Sequence, residues 1–295
     1  VGRIIIKAYA KINLALDVVG KRADGYHEVE MIMQGINLYD LVELEKAGDE
    51  LRLTCNVREL ERTDNLAYKA AALLAKKYGI KPGLRINLQK NIPVEAGLGG
   101  GSTDAAAVIL GINELYALNL TLDEMRESAA LLGSDVPFCL LPLTALATGR
   151  GEKIKELPIS PVMWLVLVKP PFGVSTGEAY NHLSRVSIIS RPDLKAVIDA
   201  ICNNRKDLIY QNIGNVLEYA TYDLYPQLRV YVREIEALGA RRVMMSGSGP
   251  TLITLHDSQD EARKLALSLI KPYWQVFVVR TTLQEDINGR RVLYE

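Results

Sequence analysis

Neither sign of charge is in excess in this sequence: 35 Lys and Arg stand against 35 Asp and Glu in 295 residues. A net charge of zero offers no overall field to recruit nucleic acid or an anionic membrane, so an anionic ligand must be held locally. No apolar run reaches the ~18 residues of a membrane span, and no basic-then-apolar leader is visible. The expectation is a cytoplasmic protein with no membrane and no nucleic-acid partner. Cysteine is scarce: Cys55, Cys139 and Cys202 are odd in number and far apart. That excludes a paired metal-binding arrangement and predicts three reduced, buried thiols that serve packing. Internal repeats and low-complexity segments are also missing. With 48% hydrophobic and 24% charged residues, the remainder is an ordinary globular composition whose length favours two domains.

A further absence is more pointed. Between Pro93 and Ala107 four of five consecutive residues, Gly97, Gly99, Gly100 and Gly101, are glycine, yet no lysine follows them as a Walker loop requires. A dinucleotide fingerprint fits no better, because its third small residue would fall at Ser102 and no buried strand runs straight into the turn. Glycine costs roughly 0.5 to 1 kcal/mol relative to alanine in regular structure, so such a cluster needs a backbone reason. The chemistry on offer is an anion seat made of main-chain N–H groups, opening a helix that Ala105, Ala106, Val108, Ile109 and Ile112 mark by their spacing. A plain strand-to-helix turn is the alternative.

Upstream, residues 4–18 alternate so that Ile12, Leu14 and Leu16 share one strand face while Lys11, Asn13 and Asp17 share the other. Lys11 and Asn13 project side by side and suit a phosphate or a reacting hydroxyl, although taken alone a strand lysine facing water is the plainer reading. Asp24-Gly25 makes a turn followed by Tyr26 and His27. Antiparallel strands are expected over 36–44 and 51–55. A helix over 66–78 is expected, capped by Thr63-Asp64-Asn65, stopped by Gly79 and followed by Pro82, with a strand over 84–88. Thr121 and Glu124 form a capping box for a helix that stops at Gly133. Asp135, ahead of Val136-Pro137, reads as a helix cap or as a general base. Pro158 and Pro161 mark a boundary between domains 1–157 and 158–295. Beyond it a strand is expected over 163–168, then helices over 177–183, 193–202, 207–222 and 226–238. A hairpin around Ser246-Gly247-Ser248-Gly249-Pro250, a helix over 259–270 and a strand over 274–281 complete a helix-backed antiparallel sheet.

Three segments in order, Ala10-Lys11-Ile12-Asn13, Pro93 to Ser102 and Ser246 to Thr251, resemble the motifs of the GHMP kinases over nearly the whole length. The resemblance implies a two-domain α+β fold, with an N-terminal domain like ribosomal protein S5, a ferredoxin-like C-terminal domain and the active site between them. It implies an ATP-dependent kinase acting on an alcohol, with Asp135 as general base and Lys11 as its charge-stabilising partner. Pro93, Val94, Glu95, Ala96, Gly97, Leu98, Gly99, Gly100, Gly101, Ser102 and Thr103 would hold the ATP phosphates, with Asn65 and Lys90 near the adenine. Mg2+ would ride mostly on the phosphates, with Ser102 as a protein ligand. Within the family, the segments 23–27, 99–102 and 133–138 point to a small-molecule substrate bearing cytidine diphosphate, met by Asn13, Tyr26, His27 and Tyr180, the aromatics sandwiching cytosine. Such a member serves isoprenoid precursor synthesis and works as a monomer or weak homodimer. Sister kinases of mevalonate or homoserine lack a base to stack, and an RNA-binding role would find no basic cluster.

Overall fold

The computed structural model describes residues 2–81 and 83–293, so Pro82 lies outside the described residues. Two long strands, β1 (Arg3–Lys21) and β2 (His27–Lys46), form an antiparallel hairpin around the Asp24-Gly25 turn. Its register shifts between Tyr9 and Lys11, between Asn13 and Ala15, and between Val18 and Gly20, irregularities that bend a ribbon and re-aim its side chains. Residues 8–18 of β1 are buried on both faces, so the face carrying Lys11 and Asn13 does not look into water.

The sheet continues through β3 (Leu51–Cys55) and β4 (Leu84–Gln89). β4 runs antiparallel to β2, but β3 pairs with β4 in parallel, against the antiparallel expectation. The helix α1 (Leu66–Tyr78) between them is the crossover that a parallel pair requires. Asn65 caps it by accepting from Ala67 N at 2.9 Å, and Gly79 ends it at φ 64°. Helix α2 (Gly100–Leu115) lies beside α1. Its Ala105 and Ala106 allow close approach to the sheet, and Val108 and Ile109, fully buried, each contribute about 1.5–3 kcal/mol by leaving water. The capping box of Thr121 and Glu124 starts α3 (Leu122–Ala130), after which the short α4 (Val136–Cys139) leads into β5 (Thr144–Thr148) and β6 (Lys153–Glu156). β5 pairs with residues 31–34 of β2.

The second sheet, all antiparallel, has the order β11 (Gln275–Arg280), β7 (Trp164–Lys169), β10 (Leu252–His256), β9 (Val243–Met245), and β7 is followed by helices. These are α5 (Thr176–Leu183), α6 (Leu194–Cys202) and α7 (Lys206–Asn212). The single helix expected over 207–222 is broken: β8 (Gly214–Asn215) pairs in parallel with Ala15 and Leu16 of β1 before α8 (Leu217–Leu224) resumes. Then come α9 (Gln227–Ala237), β9 (Val243–Met245), β10 (Leu252–His256), α10 (Gln259–Ser268), β11 (Gln275–Arg280) and α11 (Gln284–Asn288). Finally β12 (Arg291–Leu293) returns to pair with Ile4–Ile6 of β1, so the last described residues are stitched to the first sheet. Of the cysteines only Cys139 is buried; Cys55 is half-buried and Cys202 exposed, so packing accounts for one thiol rather than three.

Candidate active site

A cleft of ≈ 830 Å³ opens between the two sheets, and residues from β1, the glycine loop, α5 and the 246–250 turn line it. The glycine loop owes its shape to positive φ at Gly97 (73°) and Gly99 (72°). A Cβ on Gly97 would stand 2.3 Å from the Ser246 carbonyl oxygen, and one on Gly99 would stand 2.9 Å from Lys11 Cγ, so both positions need the bare backbone. Gly99 caps α2 without a side chain, and the N–H groups of Gly100, Gly101 and Ser102 have no carbonyl four residues back inside the helix. These three residues line the cleft at the positive end of a 16-residue helix, which is a seat for a polyanion.

The loop is fixed to both of its neighbours. Lys11 N donates to Leu98 O at 3.0 Å, and Ser246 Oγ donates to Gly97 O at 3.0 Å. Asn215, in the short β8, donates from Nδ2 to Met245 O at 2.8 Å and to Gly247 O at 2.7 Å. It braces the second glycine turn, and nothing in its local sequence announces that role.

Lys11, 4% exposed, places Nζ 3.0 Å from Asn13 Oδ1 and 3.1 Å from Asp135 Oδ2. Asp135 precedes α4 but its side chain makes no cap there; the carboxylate is turned to Lys11 and keeps 27% of its surface open. Tyr180 lies at the same wall, and its phenol is raised above its ordinary pKa by burial and then by Asp135, so it stays neutral. Burial, with a smaller contribution from Lys21, holds His27 below the usual histidine pKa, leaving a neutral ring that can both donate and accept.

Several residues singled out in the sequence are otherwise engaged. Thr103 does not line the cleft: its N–H bonds Gly99 O at 2.9 Å and its hydroxyl donates to Tyr9 O at 2.6 Å, so it has nothing left for a phosphate. The side chain of Asn65 is divided between capping α1 and donating to Leu60 O at 3.0 Å. Glu95 lines the cleft with its carboxylate against Gly173, where an added Cβ would meet its Oε2 at 2.3 Å. The ammonium of Lys90 is enclosed by Asp40 and Asp104. Burial acts to lower its pKa, but the two carboxylates together outweigh this and hold it above its ordinary value. Tyr26, His27 and Tyr180 all line the cleft, with the His27 and Tyr180 rings in direct contact. Those two rings are 5.3 Å apart, whereas a base between two rings separates them by about 7 Å, so a base does not fit between His27 and Tyr180 as they stand, which leaves His27 for the base edge. The sequence reading missed Arg150, which lines the cleft with its guanidinium 4.7 Å from the Tyr26 ring centre.

A chain with this seat, this Lys–Asp pair and this pair of sheets belongs to the GHMP kinase family: the model of the GHMP kinases N-terminal domain matches residues 65–142 and that of the C-terminal domain residues 190–273. It is therefore an ATP-dependent phosphotransferase. Two similar proteins are each named 4-diphosphocytidyl-2-C-methyl-D-erythritol kinase. The one from Exiguobacterium sibiricum is 46% identical over 279 residues, covering 94% of this chain and 97% of its own. The one from Bacillus subtilis is 46% identical over 280 residues, with 94% and 96% covered. A solved structure of 4-(cytidine 5'-diphospho)-2C-methyl-D-erythritol kinase superposes with a TM-score of 0.79 at 33% identity, covering 95% of this chain and 99% of that one. Homoserine kinase from Cytophaga hutchinsonii, at 20% identity and a TM-score of 0.74 over 96% and 95% of the two chains, shares the fold. Among the described residues no helix is long and apolar enough to cross a membrane.

Proposed function

We propose that this protein transfers the terminal phosphoryl group of ATP to the 2-hydroxyl of 4-diphosphocytidyl-2-C-methyl-D-erythritol, a step of non-mevalonate isoprenoid precursor synthesis. The observation that carries the reading is the 3.1 Å contact between Lys11 and Asp135 beside the N-terminus of α2. Phosphoryl transfer asks for positioning and charge stabilisation more than for covalent help. Asp135 orients the substrate hydroxyl and accepts its proton as the oxygen attacks. Lys11 offsets charge on that oxygen and on the phosphoryl group in transit, while Asn13 holds the ammonium in place. The N–H groups of Gly100 to Ser102 hold the phosphates of the departing ADP.

No cluster of three or more acidic, His or Cys side chains able to cage a metal occurs among the described residues, and Asp104 is already taken by Lys90. This donor set fits Mg2+ carried on the nucleotide, with the Ser102 hydroxyl as its protein ligand, where it would neutralise phosphate charge. Tyr26, with Arg150 beneath it, gives the cytosine a face to stack on, and neutral His27 meets its edge. In this reading the chain divides into 1–157, which seats ATP, and 158–295, and it works in the cytoplasm as a monomer or weak homodimer.

The test is ADP release with ATP, Mg2+ and one of three alcohols: the cytidine-diphosphate substrate, mevalonate or homoserine. Turnover with the first alone is expected, and CDP should compete with it. Preference for mevalonate or homoserine would assign the chain to a sister activity.

A further inference from the structure

Behind the glycine loop lies a charged cluster that phosphoryl transfer does not use. Asp40 of β2 is fully buried; its Oδ1 accepts from Asn91 N at 2.5 Å and from Ile92 N at 2.8 Å, and its Oδ2 meets Lys90 Nζ. The same ammonium reaches Asp104 Oδ2 on α2 at 2.5 Å. It lies beneath the start of that helix, 3.4 Å from where a Cβ on Gly100 would stand. Asn91 and Ile92 lead directly into Pro93, and Asp104 follows the last glycine by three residues. One buried bridge therefore ties the entry of the loop to the helix at its exit.

One ammonium shared by two carboxyl groups leaves no positive charge over for a phosphate. The bridge is thus badly suited to attract the ligand, and well suited to fix the backbone that does. Main-chain donors hold a polyanion tightly only when they are preset, and a segment containing Gly97, Gly99, Gly100 and Gly101 has little stiffness of its own. Stiffness has to come from its ends.

We infer that Asp40, acting through Lys90 and Asp104, is a positioning residue for ATP: the bridge holds the two ends of the phosphate loop so that its amides face the triphosphate. The inference rests on the kinase reading above, and it removes the Lys90 ammonium from the set of free adenine ligands.

The test is Asp40→Asn in the full chain, which keeps the size and one acceptor but breaks the ion pair. Calorimetric ATP affinity should fall about tenfold and the KM for ATP should rise to match, with kcat and the KM for the alcohol moving less than about threefold. Amide hydrogen exchange should quicken across residues 93–102 and not elsewhere. A folded variant with unchanged ATP affinity and unchanged exchange would overturn the inference. So would equal weakening for ATP and alcohol, since that describes general loosening. If Asp40→Asn does not fold, Asp104→Ala severs only the helix side and leaves the Asp40–Lys90 pair neutral; it should weaken ATP about threefold, and no change would overturn the bridge. Wild-type protein that binds ATP but does not turn over the cytidine-linked alcohol would sink the substrate assignment and leave the bridge standing, so the two failures are distinguishable.

Discussion

The two ends of the cleft are built from different materials. At the α2 end the ligand-facing surface is main chain on a buried frame: Lys11 is 4% exposed, Asp40 is fully buried, and the seat is the open first turn of a helix. At the other end it is side chain on an open rim: Tyr26 is 54% exposed, with the Arg150 guanidinium stacked on it. The difference follows the work. In the proposed reaction, aligning a hydroxyl with a phosphorus tolerates little displacement, which suits a frame of buried ion pairs at that end. Selecting a base in the same proposed reaction tolerates adjustment, which suits an exposed ring such as Tyr26 on the rim.

The sharpest way to break this comparison is at the chemistry end. Asp135→Asn keeps the contact with Lys11 but loses the proton acceptor, so kcat measured by ADP release should fall by about 10²–10⁴. Calorimetric ATP affinity should stay within about threefold. A comparable loss of affinity would mean that Asp135 builds the seat rather than acting in it. At the recognition end, Tyr26→Ala removes a stacking face worth about 1–3 kcal/mol, so the KM for the cytidine substrate should rise roughly tenfold or more while the KM for ATP holds. A change in both would show that the ends are not independent.

The smallest effect concerns pH. Burial first, and Asp40 beside it, push Asp104 up from 3.8 to about 7 although Lys90 pulls the other way. A raised carboxyl pKa means that the folded state keeps a proton which the unfolded chain has released. Stability from this group is therefore full below about pH 4 and is lost as pH climbs through 7. Asp104→Asn should flatten that slope, with Tm near the wild-type value at pH 4 and a few degrees higher at pH 8, roughly 2–4 °C per kcal/mol at this size. An unchanged slope would place the titration elsewhere.

Much of this was legible in the chain. Helix ends announced themselves locally: Asn65 and Gly79 around α1, and Thr121 with Glu124 at α3, form caps from residues a few positions apart. The glycine loop was readable because only a special backbone accounts for so many glycines. The first part of β2 was not, because Met31, Ile32 and Met33 are buried on both faces and leave no alternation to detect. β8 and β12 are two and three residues long and exist only because β1 offers them an edge. In the site, Lys11 and Asp135 were singled out by type and motif and the fold brings them into contact, but the engagement of Thr103, Asn65 and Lys90 depends on partners brought from elsewhere. Asp40 looked like any strand aspartate, since its lysine is 50 residues away.

The most direct measurement of the central claim is a structure of the protein with a non-hydrolysable ATP analogue and the cytidine-linked alcohol together. The account requires the triphosphate on the N–H groups of Gly100 to Ser102. Its terminal phosphate should lie beside Lys11, and the 2-hydroxyl should be hydrogen-bonded to Asp135. A triphosphate seated away from α2, or a hydroxyl out of reach of Asp135, would contradict it.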